Sequence, residues 1–287
     1  MVRILITGAS SSVGVAITRR LLKQPDVEIW CGRHQTPIDI TDNRLQVIDL
    51  DLESDLHAAL SRREFDKVIH CAAITHAVDE RRYWAINVDA TTRLAGAVRA
   101  HGCRNFVFIS TRCATADTGA YGASKLAAEE ELQKFDWKSL LIIRPSEVYR
   151  GNGREGIDRM LAIAEKWRFV PALFGSSSLQ FAPLHIDDFS KLATELILRQ
   201  AEGIHIEELC GPEDLTASEL ANRISRHYSA LPLPLWWPLA VVGIKTLNRL
   251  GVSIVKPDQL TRLWGRKTAT AESSKTNSAD LRRFLHE

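Results

Sequence analysis

From the first residue to about 150, short apolar runs alternate with longer stretches in which apolar and charged residues recur at helical spacing. Parallel βαβ units produce this pattern, because a strand buried on both faces reads as a continuous apolar run and a crossover helix shows one apolar stripe. The pattern predicts strands at 3–6, 27–31, 45–50, 67–70, 106–110 and 139–143, with helices at 13–23, 80–100 and 121–134. After Arg150 the regularity decays. GNGREG and GSSSLQFAP read as loops, 157–167 as a helix, and 204–209 as a strand returning to the sheet. A last helix is expected over 215–228, with Thr216 and Ser218 as cap candidates. The chain has no internal repeat, and the polar run AESSKTNSAD reads as loosely packed.

The first strand runs directly into Thr7-Gly8-Ala9-Ser10-Ser11-Ser12-Val13-Gly14 and then a helix. Glycines there permit a tight turn and let backbone N–H groups approach a pyrophosphate at the positive end of the helix. Only Gly8 and Gly14 of a three-glycine fingerprint are present, with Ser11 in the middle place; Ser10, Ser11 and Ser12 carry hydroxyls able to donate to phosphate. The expected fold class is therefore α/β, a Rossmann doubly wound parallel sheet with a smaller C-terminal substrate-side lobe. A dinucleotide-binding domain is expected over 1–150, its sheet completed by segments near 180–210, and a partly helical substrate-binding lobe over 151–287. At the end of the second strand no carboxylate stands ready for a ribose 2′-hydroxyl; Arg33 stands there instead, which predicts NADP(H) rather than NAD. Asp51 with Leu52, or Asp49 with Leu50 in the other register, is placed for the adenine.

Tyr121-Gly122-Ala123-Ser124-Lys125 sets a phenol and an ammonium one helical turn apart, on one face. A free tyrosine is a poor base at neutral pH, and a nearby cation favours its phenolate. Ten residues earlier a buried-looking strand ends in Ser110 and Thr111, at the carboxyl edge where open α/β sheets bind ligands. Thr111 is placed to hold a reacting oxygen while Tyr121 moves its proton.

These segments, with Val68-Ile-His-Cys-Ala-Ala73, Asn87-Val-Asp-Ala-Thr91, Ile142-Ile-Arg-Pro145, Val148-Tyr149 and His185-Ile-Asp-Asp188, resemble an extended short-chain dehydrogenase/reductase of the epimerase/dehydratase type, over about residues 1–225. The resemblance implies that Ala72 and Ala73 line the cofactor and that Asn87 supports Lys125 through backbone and water. It also implies that Pro145 and Val148 face the nicotinamide and that Lys125 binds its ribose. Family dehydratases place an acidic pair after the hydroxyl residue; Arg112 and Cys113 stand here, which argues against sugar dehydration. Arg112 and Arg150 are candidates for holding an anionic substrate, and His185 is read as a packing residue.

The reading that follows is an NADP(H)-dependent oxidoreductase of the carbonyl reductase or alcohol dehydrogenase type, with Thr111, Tyr121, Lys125 and Asn87 as its site. The alternatives are a nucleotide-sugar epimerase with retained NAD and a non-catalytic NADP(H)-binding assembly subunit. Composition narrows the partners. With 37 basic and 35 acidic residues among 287, the net charge of +2 draws the chain neither to nucleic acid nor globally to anionic membrane, so a small molecule with a hydroxyl or carbonyl carbon is expected. Five widely spaced cysteines without a ligand motif predict free thiols, no metal and a reducing compartment. The strand-like start MVRILIT argues against a secretory signal and predicts a cytoplasmic location. The apolar stretch 231–244 is shorter than the ~20 residues of a membrane span. It fits an apolar pocket cap, a peripheral membrane contact or a partner contact, with a buried helix behind a proline-rich entry as the plain alternative. The helices at 80–100 and 121–134 suit a homodimer.

Overall fold

The computed structural model describes residues 1–61, 63–150, 156–174, 180–199, 201–236, 239, 242, 243, 246 and 281–285. Its centre is a seven-stranded sheet: β1 (Val2–Thr7), β2 (Val27–Arg33), β3 (Leu45–Asp49), β4 (Lys67–His70), β5 (Asn105–Ile109), β6 (Ser139–Pro145) and, after short strands, β11 (Gly203–Leu209). All pairings in it are parallel, in the order β11-β6-β5-β4-β1-β2-β3. The order reverses between β1 and β4, which opens a crevice at the carboxyl edge.

Strand periodicity explains why both faces need helices. Ile4, Ile6, Val107, Ile109, Leu141 and Ile143 enter one core, while Leu5, Phe106, Phe108, Leu140 and Ile142 enter the other. Helices α1 (Ser12–Leu21) and α7 (Ile186–Leu198) cover the first through Ile17, Leu21, Phe189 and Ile197. Helices α2 (Leu56–Leu60), α4 (Thr91–Ala100) and α5 (Gly119–Gln133) cover the second through Leu60, Leu94, Val98 and Leu132. The helix expected over 80–100 is not uniform: α3 (Arg81–Tyr83) passes through a π-helical stretch, Trp84–Ala90, before α4 begins.

A third core belongs to the later residues. Short strands β7 (Val148–Tyr149), β9 (Gln180–Phe181) and β12 (Leu215–Thr216) and helices α6 (Gly156–Trp167) and α8 (Ala217–Tyr228) gather Tyr149, Leu161, Leu220 and Ile224 around it, while β10 (Leu184–His185), paired with β7, sends Leu184 into the first core. Thr216 caps α8 in a capping box with Glu219. Near the end of the chain, the Arg282 N–H donates to Asp188 Oδ2 at 2.9 Å and Phe284 stacks edge-on against Tyr149. Two strands absent from the sequence reading, β8 (Phe169–Phe174) and β13 (Leu231–Trp236), pair in parallel. Residues 231–236 are thus neither helical nor a buried entry. The polar run 271–280 lies outside the described residues.

Candidate active site

The turn after β1 is built for close approach. Gly8 has φ +65, and a Cβ on it would stand 2.5 Å from the Ala72 amide nitrogen; one on Gly14 would meet the Gly8 carbonyl at 2.2 Å. Only glycine fits either place, so the loop lies directly against the end of β4. Ser11 is the N-cap of α1: it donates its single hydroxyl hydrogen to the Gly8 carbonyl at 2.7 Å and accepts from the Gly14 N–H at 3.0 Å. Ser11 therefore closes the loop with the hydrogen expected to reach phosphate, whereas Ser10 is exposed and Ser12 half-buried. The cradle of backbone N–H groups at the start of a ten-residue helix fits a dinucleotide pyrophosphate.

Arg33 is not a free cation. Register sets it opposite Asp49, and its guanidinium binds that carboxylate at 2.6–2.8 Å. The carboxylate neutralises the charge that a 2′-phosphate would need and would itself repel that phosphate. Asp51 lies in the following turn, where it accepts from the Glu53 N–H at 2.9 Å and stands 4.0 Å from His34; Leu50 is buried against Gly32, while Leu52 is half-buried.

Tyr121 and Lys125 lie on α5, packed along the end of β5. Lys125, only 1% exposed, donates to the Ile109 carbonyl at 2.9 Å and sits 3.8 Å from the centre of the Phe108 ring. Burial drags its pKa down to about 7, against the opposing pull of Glu129. His70 stacks on Phe108 and is held between the Thr7 and Thr91 hydroxyls at 2.5 and 2.9 Å; burial and Lys125 push its pKa to about 3, so it is neutral. Tyr121 meets Tyr83 edge-on, with ring centroids 6.0 Å apart. Thr111 accepts from the Cys113 N–H at 3.2 Å, which fixes the turn that follows β5.

Asn87, inside the π-helical stretch, bonds Ile74 through both backbone groups at 2.9 and 3.1 Å and the Ser124 hydroxyl at 3.1 Å. It thereby ties the loop after β4 to the residue preceding Lys125. Ala72 and Ala73 follow Cys71 in that loop, while Pro145 ends β6 and Val148 begins β7, at the same carboxyl edge.

Glu129, Arg144 and Ser110 form a group not anticipated as functional. Glu129 is 1% exposed, one turn beyond Lys125 on the same helix face; it accepts two bonds from Arg144 at 2.5 and 3.0 Å and one from the Ser110 hydroxyl. Extending the Tyr121-to-Lys125 spacing by another turn would have found it. Arg112 is buried rather than presented: it faces Glu147 at 3.4 Å and Asp214 at 3.8 Å, while Arg150 is exposed at φ 64. His185 caps α7 and contacts Arg282 at 2.9 Å, in keeping with packing. Among the described residues no cluster suits a metal ion, the cysteines are free thiols, and no helix is long and apolar enough to cross a membrane.

Residues 4–207 match the NAD dependent epimerase/dehydratase family. The chain belongs to that family. It is accordingly an enzyme of the extended short-chain dehydrogenase/reductase superfamily, with a pyridine nucleotide as cofactor. It is 26% identical to a UDP-glucose 4-epimerase of Vibrio cholerae over 81% of this chain and 79% of that protein. Among solved structures, UDP-glucuronic acid 4-epimerase from Bacillus cereus in complex with NAD superposes with a TM-score of 0.69 at 20% identity, covering 91% of this chain and 94% of the other. A dTDP-glucose 4,6-dehydratase from Streptomyces venezuelae with NAD bound gives 0.68 at 20% identity, covering 82% and 84%. These findings overturn the expected NADP(H)-dependent carbonyl reductase or alcohol dehydrogenase. The physical reason is at hand: Arg33, which carried that expectation, is already spent on Asp49.

Proposed function

We propose that the protein is a nucleotide-sugar epimerase that keeps NAD bound and inverts a hydroxyl-bearing carbon of a UDP-hexose. The observation that carries the reading is the Arg33–Asp49 ion pair, which favours the cofactor without a 2′-phosphate; the likeness to UDP-glucose 4-epimerases supplies the substrate class. Backbone groups from Gly8 to Gly14, including Val13, with Ser10 and Ser12, hold the pyrophosphate. Asp51 and Leu52 meet the adenine, and Ala72, Ala73, Pro145 and Val148 line the rest. Bound NAD supplies a hydride acceptor that is also the donor for the return step. Thr111 holds the substrate hydroxyl while Tyr121 takes its proton, leaving a ketone at that carbon; after the sugar turns over, Tyr121 returns the proton to the oxygen. Lys125 favours the phenolate and holds the nicotinamide ribose. Asn87 positions it through Ser124.

The test is mass analysis of nucleotide released from purified protein, with Tyr121→Phe prepared alongside. The reading predicts NAD at near one per chain in both proteins and epimerisation of UDP-hexoses by the parent protein only. Empty protein, retained NADP(H), or unchanged turnover in the variant contradicts it.

A further inference from the structure

The β8–β13 ribbon carries none of the residues assigned to the reaction. Its register places Leu231 opposite Phe169 and Leu233 opposite Pro171, with Leu235 next in phase, so these share one face, while Val170, Ala172, Pro232 and Pro234 share the other. The second face turns inward at Val170, which lies in the core beside Leu220 and Ile224, and opens to solvent again at Pro234. The first turns out: Phe169, Leu231, Leu233 and Leu235 are all exposed, Leu231 by 64%. Trp167, 63% exposed, precedes the ribbon, and Trp236, 50% exposed, ends it on the opposite face, paired with exposed Phe174. Leu239 and Val242 beyond it are helical and exposed too. A soluble surface seldom leaves so many large apolar side chains together without a contact to make.

The open edge decides the kind of contact. The Leu231 N–H donates to the Arg168 carbonyl at 2.8 Å, toward β8, so alternation turns the backbone groups of 232 and 234 away from it. Those residues are Pro232 and Pro234, which have no N–H. The edge lacks two successive donors and is a poor template for a strand from a second copy or a peptide. For the same reason it has no amide hydrogens there to desolvate against an apolar medium.

Charge completes the case. Exposed Lys166 and Arg168 flank Trp167. From 231 to 267 the sequence holds Lys245, Arg249, Lys256, Arg262, Arg266 and Lys267 against Asp258 alone, in a chain whose total is only +2. Exposed tryptophan and leucines beside Lys166 and Arg168, in a stretch of sequence with excess positive charge, match the headgroup boundary of an anionic bilayer. We propose that this face docks the protein peripherally on an anionic lipid surface, independently of which reaction the site performs.

Flotation of the full chain with vesicles tests this, using phosphatidylglycerol and phosphatidylcholine in equal parts against phosphatidylcholine alone. Binding is expected to the anionic vesicles and to weaken at least about tenfold in high salt. It should weaken at least about tenfold again in Leu233→Asp with Leu235→Asp, while retained nucleotide and melting temperature hold. Should that variant misfold, Lys166→Glu with Lys245→Glu reads the electrostatic part, with a comparable loss expected. The proposal fails if the parent protein floats with neither vesicle, or if folded variants bind as well as the parent. It also fails if the protein ignores vesicles and sediments as a dimer that the leucine substitutions split, since a second copy would then own the face.

Discussion

Lys125→Met should make the nucleotide-free protein more stable at neutral pH, although it removes a residue assigned to the reaction. The folded-state pKa of Lys125 is depressed from 10.5 to about 7 by burial. Below pH 7 the amine is charged in both folded and unfolded chains, and burying it carries its full cost. Between pH 7 and 10.5 the unfolded chain binds more protons than the folded one, so stability rises with pH and the cost fades. At pH 7 the shift corresponds to about 4 kcal/mol. Losing the donor to the buried Ile109 carbonyl subtracts about 1–2 kcal/mol, so the variant should gain about 2–3 kcal/mol. For a domain of this size that raises the melting temperature by about 5 °C. The assay is a pair of thermal melts, variant against parent, both stripped of nucleotide, at pH 7 and near pH 9.5. At the higher pH the cost of the buried charge falls to about 1 kcal/mol and the advantage should largely vanish. A parent more stable at pH 7, or a gap equal at the two pH values, refutes the reasoning.

Glu129→Gln leaves Arg144 and the Ser110 hydroxyl facing an uncharged amide in a buried place, and should lower stability by about 3 kcal/mol in denaturant titration. A loss below about 1 kcal/mol would mean that the pair is solvated and does not anchor α5. Gly14→Ala brings a methyl group onto the Gly8 carbonyl and should abolish nucleotide retention, read by absorbance of the denatured extract; normal retention would show that the loop relaxes freely. Asp49→Asn frees the Arg33 charge and should raise affinity for NADP⁺ relative to NAD⁺ by about tenfold, measured by titration of stripped protein. An unchanged ratio would place Arg33 outside the ribose site.

The strands of the central sheet and the helix that carries Tyr121 and Lys125 were legible because each depends on local pattern. Apolar runs such as VRILIT and SLLII have both faces buried, and Tyr121 and Lys125 fall one turn apart on any helix. What escaped depends on partners distant in sequence. Arg33 read as a phosphate binder because Asp49, sixteen residues on, becomes its neighbour only through the β2–β3 register. Ser11 read as a phosphate donor because the closure of the turn onto the Gly8 carbonyl is invisible in composition. Arg112 looked available until Glu147 and Asp214 closed on it from later elements. Strand β13 was missed because Pro232 and Pro234 argue against a strand; an edge with its amides turned outward tolerates both.

The most direct test of a nucleotide-sugar epimerase with retained NAD is proton NMR of a UDP-hexose incubated in D₂O with purified protein and no added nucleotide. Such an epimerase yields the epimer, with its hydrogen kept at the inverted carbon, because the hydride leaves and returns without meeting solvent. Deuterium at that carbon, or turnover only when NADPH is supplied, contradicts it.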